Sequence, residues 1–235
     1  MKRFYKLVST QKADGGYLIM LDGRPVKTAL KNELLAKNEA LANALVLEWS
    51  GQEEEIVPDT MPFTQILSTK IDRVSHEREA IQDYLFKYLD TDLLCHRTDQ
   101  PPELNASQEE VWGPYLEWFE GKYGHALETT YGLSALNQPH QAHEAVQQEI
   151  KAMNDDIFTV LQLIVSACGS IVLGLAAINE RATAEEIYTA MRVEENFKAK
   201  IYNEEFYGGD PAQEAKDKAT QEDLKAAMKY LSLIS

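Results

Sequence analysis

Residues 47–72, LEWSGQEEEIVPDTMPFTQILSTKID, carry the reading of this chain. Trp49 closes a helical stripe made with Leu34, Leu41 and Leu45, and Gly51 stands where that helix should end. Met61-Pro62 then opens a second helix, because proline suits the first helical turn. Between them lies the acidic run Glu53-Glu54-Glu55. The stretch holds anchors and no nucleophile–base pair, phosphate loop or metal cluster. Such a pattern points to a protein that holds another protein.

Working outward towards the N-terminus, residues 3–28 read as β structure. Phe4–Val8 and Tyr17–Leu21 are strand candidates on either side of Asp14-Gly15-Gly16. Asp22-Gly23 marks a second tight turn before a third strand, Arg24–Thr28. Towards the C-terminus, Leu67, Ile71, Val74, Ile81, Leu85 and Tyr88 form a stripe over six turns, with Arg73, Glu77, Arg78 and Asp83 on the solvated face. Pro101-Pro102 breaks the pattern and is the expected domain boundary, giving domains 1–100 and 101–235.

Beyond it, Trp112, Tyr115, Leu116 and Phe119 share a helical face, and Pro114 would kink that helix or mark its first turn. Ala126–Leu133 is a short strand candidate, and helical patterns return from Gln141. Thr183-x-x-Glu186 forms a capping box for a helix to about Tyr202. Asp210-Pro211 starts a last helix that ends near Ile234.

Composition narrows the function. The chain has 23 basic and 38 acidic residues, a net charge of −15, which repels nucleic acid and anionic membranes. The acidity favours a basic protein surface or serves solubility alone. Cys95 and Cys168 stand far apart in apolar surroundings and read as reduced packing residues. No signal segment precedes the first strand pattern, so a reducing cytosol is the expected location. Val160–Ile178 is apolar enough to suggest a membrane span, but Gln162, Ser166, Gly169, Ser170 and Gly174 favour a buried central helix.

The chemical constellations are weak. His140 and His143 lack partners at a zinc-motif spacing and read as surface residues. Ser166 and Ser170 lack a nucleophile elbow, and the glycines make no phosphate loop. Neither a cofactor nor a metal is expected.

Glu194 differs from the other carboxylates. On an unbroken helix 183–202, the apolar residues Ile187, Ala190, Met191, Phe197 and Ile201 place Glu194 mid-stripe and Glu195 to one side. A carboxylate there costs several kcal/mol unless paired. Either Glu194 meets Arg97 or Arg24 inside this protein, or the stripe is open and receives another molecule.

Taken in order, several pieces resemble the assembly chaperones that bind the alpha subunit of the F1 sector of ATP synthase. They are Arg3-Phe4-Tyr5-Lys6, Leu21-Asp22-Gly23-Arg24-Pro25-Val26-Lys27-Thr28, Glu48-Trp49-x-x-Gln52 and Ile56-x-Pro58-x-Thr60-Met61-Pro62-x-Thr64. Thr69-x-Ile71-Asp72, Thr91-Asp92-Leu93-Leu94-Cys95, Gln108-x-x-x-Trp112-x-Pro114, Gly169-Ser170 and Glu194-Glu195-x-Phe197 continue the series. The chain departs from the family pattern at His96, at Lys198 and in the late Tyr207-Gly208, so the region Lys198–Asp210 is divergent.

The resemblance implies an α+β fold, with a small β-containing N-terminal domain followed by a mainly helical one. It implies a non-enzymatic monomer that binds the F1 alpha subunit, shields its subunit interface and delivers it to the alpha/beta hexamer. Because the match starts near Met1, the expected member is bacterial and cytoplasmic, with mitochondrial relatives in eukaryotes. Glu194, Glu195 and Phe197 are the candidate partner-binding residues; Trp49, Pro62, Asp72 and Trp112 are the candidate anchors. The alternatives are an enzyme using a carboxylate site and a membrane-associated assembly factor.

Overall fold

The computed structural model describes residues 1–202 and 211–235. The chain is α+β, a small antiparallel sheet followed by helices, as expected. Strand β1 (Val8–Ala13) pairs with β2 (Gly16–Leu21) in the register Val8↔Leu21 to Ala13↔Gly16. The other edge of β2 takes β3 (Arg24–Pro25) through Met20 and Leu21, and β4 (Leu35–Ala36) through Tyr17 and Leu18. Asp22 and Gly23 both have positive φ, 48° and 79°, the geometry a two-residue hairpin turn with right-handed twist requires.

The strand expected at Phe4–Val8 is absent; the β1–β2 ladder begins at Val8, and before it Lys2 forms an isolated bridge with Glu55. The reason is the Asp22 side chain. Its carboxylate accepts the backbone N–H groups of Lys6 (3.1 Å) and Leu7 (2.8 Å), and its own N–H donates to the Leu7 carbonyl (2.9 Å). This segment therefore satisfies its backbone at a side chain instead of a ladder. The third strand is likewise shorter than Arg24–Thr28, and the sequence pattern showed no sign of β4.

Helix α1 (Glu39–Ser50) packs on the sheet through Leu41, Ala42, Leu45 and Trp49. Asn38 caps its start by accepting the Leu41 N–H at 2.9 Å, and Gly51 follows its last turn. Leu34, counted on the same stripe, precedes the helix and is buried beside the sheet. Helix α2 (Pro62–Thr69) runs through a π-helical stretch, Lys70–Val74, into α3 (Ser75–Phe86). The six-turn stripe is thus an interrupted run, and Glu77 inside it leaves helical geometry. A 3-10 turn, Lys87–Thr91, ends it.

The next helix is α4 (Pro102–Tyr123), with Pro102 in its first turn and Pro114 accommodated on its exposed side. Then follow α5 (His140–Ala152), α6 (Asp155–Cys168), α7 (Ile171–Ile178), α8 (Ala184–Met191), α9 (Val193–Tyr202) and α10 (Pro211–Ile234). The strand expected at Ala126–Leu133 does not form. Thr130 alone pairs, donating to the Cys95 carbonyl and accepting from the Arg97 N–H, both at 2.8 Å. Glu128 nearby is bonded instead to the Gln138 side chain.

The single central helix expected over Val160–Ile178 is two helices. Gly169, at φ 71°, separates them, and the Ser170 side chain caps α7 by accepting the Leu173 N–H at 3.0 Å. Residues Ile171–Ala177 are buried all round, as a helix without a polar face must be. Gly174 supplies a close approach: a Cβ there would lie 2.5 Å from Val165 Cγ2. Among the described residues no helix is long and apolar enough to cross a membrane.

The chain divides into two compact units, Met1–Arg78 with Asn154–Val160 and Ala226–Ser235, and Glu79–Met153 with Leu161–Lys225. This differs from a single cut at residue 100, because late residues are tied into the first unit by side chains. Tyr230 donates to Asp156 (2.9 Å), Asn38 donates to the Leu233 carbonyl (2.8 Å), and Arg78 pairs with Asp155 (2.5 Å) while lying 4.5 Å from the Phe158 ring centre. Long-range ties of this kind leave no trace in a local hydrophobic pattern.

Candidate functional site

The Glu194 site is built on the junction of α8 and α9. Thr183 and Glu186 form the capping box that starts α8, each accepting the other's backbone N–H. The helix then stops at Arg192 (φ −110°, ψ 13°), and α9 restarts at Val193. The break resets the angular count, so the stripe reckoned over an unbroken 183–202 does not exist. Val193 is buried, Phe197 is half-buried, and Ile201 is 60% exposed.

Glu194 consequently sits not mid-stripe but in the first turn of α9, with its side chain 40% exposed. A carboxylate is well placed there, close to the unsatisfied N–H groups of a helix start. Its internal partners are neither Arg97 nor Arg24. The fully buried Gln108 of α4 donates to Glu194 Oε1 at 3.0 Å, and Lys198 stands 3.9 Å from Oε2. Arg97 instead pairs with Glu109. Glu195 is exposed beside it.

Gln108 is oriented from both sides. Its Oε1 accepts the Thr98 N–H at 2.9 Å while its amide nitrogen serves Glu194. One turn further along α4, buried Trp112 donates its indole N–H to the Ala190 carbonyl at 2.8 Å, just before the break. Arg192, at the break itself, pairs with Asp217 of α10 at 2.8 Å. The result is a carboxylate with one oxygen fixed by a buried amide and the other near the exposed Lys198. Such a group can accept hydrogen bonds from a partner protein.

Trp49, Pro62 and Asp72 lie in the first unit. Trp49 is 9% exposed and stacks edge-on against Tyr5 at 5.7 Å, and the Tyr5 hydroxyl donates to the Trp49 carbonyl at 2.7 Å. Pro62 opens α2, whose free N–H groups at Phe63 and Thr64 are taken by the Glu48 carboxylate at 2.6 and 2.8 Å. Burial pushes the Glu48 carboxyl above its usual range. Gln52 closes the connection from α1 to α2, accepting from the Val57 N–H (2.7 Å) and donating to Thr60 (3.0 Å). Asp72 accepts from the Thr28 hydroxyl (2.6 Å), the Asn32 amide (2.9 Å) and the Leu30 N–H (3.1 Å). Desolvation alone would raise its carboxyl, but these bonds together hold it below the ordinary carboxylate value.

The two histidines do not form a pair. His143 Nε2 meets Asp90 at 2.9 Å, and exposed His140 stands 3.5 Å from Glu144. Cys95 and Cys168 are buried and free, and burial pushes the Cys168 thiol up to about 12. Among the described residues no group of three or more His, Cys, Asp or Glu could hold a metal ion. Tyr207-Gly208 lies outside the described residues.

Residues 2–120 match the sequence model of the family described as ATP12 chaperone protein. The chain belongs to the ATP12 chaperone family. It is similar to the mitochondrial protein atp12 of Schizosaccharomyces pombe, 27% identical over 197 residues, which are 79% of this chain and 68% of that one. The mitochondrial ATP12 protein of Saccharomyces cerevisiae is 22% identical over 227 residues, 82% of this chain and 70% of its own. The crystal structure of Atp12 from Paracoccus denitrificans superposes with a TM-score of 0.90 at 30% identity, covering 100% of this chain and 98% of that one. The Atu1473 protein of Agrobacterium tumefaciens gives 0.91 at 30% identity, covering 100% and 86%. Trp49, Pro62, Asp72 and Trp112 fall inside the family match; Glu194, Glu195 and Phe197 lie beyond it, within the ATP12 likeness of the structures.

Asp92, fully buried, accepts from the Leu94 N–H (3.0 Å), the Ser170 hydroxyl (2.8 Å) and the Val172 N–H (3.0 Å). It thereby ties the 3-10 turn Leu93–Cys95 to the start of α7. The only signal in the sequence was its place in the motif Thr91-Asp92-Leu93-Leu94-Cys95.

Proposed function

We propose that this protein is a chaperone for assembly of the F1 sector of ATP synthase, that it binds the alpha subunit, and that it acts by binding and not by catalysis. It covers the alpha surface destined for the beta subunit and releases alpha into the alpha/beta hexamer. A subunit of an obligate interface exposes a core-like apolar patch until its partner arrives, and such a patch aggregates unless covered. Displacement by beta then completes the cycle without hydrolysis of ATP. The observation that carries the reading is membership of the ATP12 chaperone family, with likeness to Atp12 over the whole chain. Glu194, Glu195 and Phe197 are the contact residues in this reading, since a half-exposed carboxylate beside half-buried Phe197 offers a polar and an apolar handle together. The protein works as a monomer in a bacterial cytoplasm.

The test is co-expression with the F1 alpha and beta subunits of one bacterium, followed by affinity capture of this chain. Alpha should co-purify, and adding beta should release it. Capture of beta alone, or of neither subunit, would overturn the proposal.

A further inference from the structure

The first unit contains a cavity of about 620 Å³, walled by Phe4, Tyr5, Leu21 and Trp49, with Arg24 and Lys27 among the residues that line it. That volume lies within the range of pockets that take a ligand or a large side chain with adjoining backbone. Phe4 is 67% exposed, an unusual position for a phenylalanine on a protein that repels its own kind by charge. The Trp49 ring is nine-tenths buried, yet its indole N–H has no acceptor. A buried donor without a partner is costly, and most such donors in folded proteins are paired. Here the second aromatic wall, Tyr5, has spent its hydroxyl on the Trp49 carbonyl and leaves the indole unserved.

Charge says what should fill the cavity. Residues 1–37 carry eight basic and three acidic side chains, whereas residues 38–235 carry 15 and 35. The cavity therefore lies in the one basic region of a strongly acidic chain. Arg24 and Lys27 are exposed, and neither has a carboxylate within ion-pair distance among the described residues. Asp22, the acidic lining residue, is committed to the N–H groups of Lys6 and Leu7, which hold its carboxyl below the ordinary value. Glu33 sits opposite Lys27 in the backbone ladder without pairing with its side chain.

We propose that this cavity binds an extended segment of the client protein, with a large apolar side chain entering between Phe4 and Trp49 and a flanking carboxylate on Arg24 and Lys27. The proposal rests on the reading of the chain as a protein-binding chaperone and adds a docking point in the first unit, separate from Glu194. It also gives the acidic chain a means of discrimination. A basic segment is attracted to the molecule as a whole, but only an acidic–apolar one matches this cavity.

The experiment uses the full chain and two synthetic peptides, acetyl-Glu-Phe-Leu-Glu-amide and acetyl-Lys-Phe-Leu-Lys-amide. The indole N–H resonance of Trp49, assigned by Trp49→Phe, is followed by NMR during titration. The acidic peptide should shift it saturably and the basic peptide should not. Arg24→Glu with Lys27→Glu should weaken binding roughly tenfold, as loss and reversal of two exposed charges implies. Calorimetry of the same titrations gives the affinities, and it decides alone should Trp49→Phe fail to fold. An unmoved Trp49 resonance, equal response to both peptides, or a shift that depends on protein concentration without peptide would each overturn the proposal, the last by naming a second copy as occupant. Peptide binding without alpha capture would defeat the alpha-subunit reading alone; alpha capture without peptide binding would defeat this one alone.

Discussion

Trp112→Phe tests whether the framework that places Glu194 is held as described. Trp112 is 1% exposed and donates to the Ala190 carbonyl at 2.8 Å, at the point where α8 gives way to α9. Phenylalanine keeps one ring in the core and removes the donor. The lost bond costs about 1 kcal/mol, and a buried carbonyl left short of a partner adds about as much again. Vacating the space of the missing ring atoms adds about 1–2 kcal/mol. The sum is about 3 kcal/mol, on the order of 6–12 °C in Tm for a domain of this size. The control is Trp118→Phe on the same helix. Trp118 is half-buried, with Tyr123 at 6.3 Å and Lys122 at 5.7 Å from its ring centre, so its loss should cost less than about 1 kcal/mol. Thermal and urea unfolding followed by circular dichroism gives both numbers. If Trp112→Phe melts within 2 °C or so of Trp118→Phe, the indole bond does not hold the junction.

Three further outcomes follow from particular contacts. Glu194→Gln keeps the acceptor for Gln108 and loses only an exposed charge, so its Tm should stay within about 2 °C of the parent while capture of F1 alpha weakens; unchanged capture would remove Glu194 from the contact surface. Gly174→Ala should destabilise by about 1–3 kcal/mol in urea unfolding, because its Cβ would press on Val165 at 2.5 Å and Leu161 at 3.0 Å; a neutral effect would contradict the close packing of α7 on α6. Burial pushes the Asp92 carboxyl up to about 6 from 3.8, so the folded protein holds that proton more tightly than the unfolded chain. The stability it contributes is fully present below pH 3.8 and is lost as pH rises through 6, a change of up to about 3 kcal/mol. The stability advantage of the parent over Asp92→Asn should accordingly be larger at pH 4 than at pH 7 in urea titrations, and a constant or reversed difference would contradict the assignment.

The legible parts of the fold were those written in local chemistry. Asp22-Gly23, the Thr183–Glu186 capping box and Pro62 each act within a few residues, and each stands where its neighbours imply. The segment Phe4–Val8 alternates like a strand, yet no pattern within it could reveal that a carboxylate at position 22 takes its N–H groups. The same holds for Asp156 and Tyr230, 74 residues apart, which draw the end of the chain into the first unit.

Glu194 shows where periodicity stops being evidence. Counting 100° per residue assumes an unbroken helix, and one residue outside helical geometry, Arg192, cancels the inference for everything after it. The motif nevertheless drew attention to a position with real structural commitments, for a different physical reason. Gln108 is wholly buried and could have turned its amide to any neighbour, but it is fixed between the Thr98 N–H and the Glu194 carboxylate. A buried amide with both ends assigned holds a carboxylate oxygen in one place, and the first turn of α9 supports the charge without neutralising it. Among the described residues the second oxygen has an exposed lysine 3.9 Å away, an exchangeable partner that a client's donor can replace at little cost. Half of this carboxylate is therefore structure and half is available. That division is why a neutral isostere should leave the fold standing while diminishing what the surface can hold.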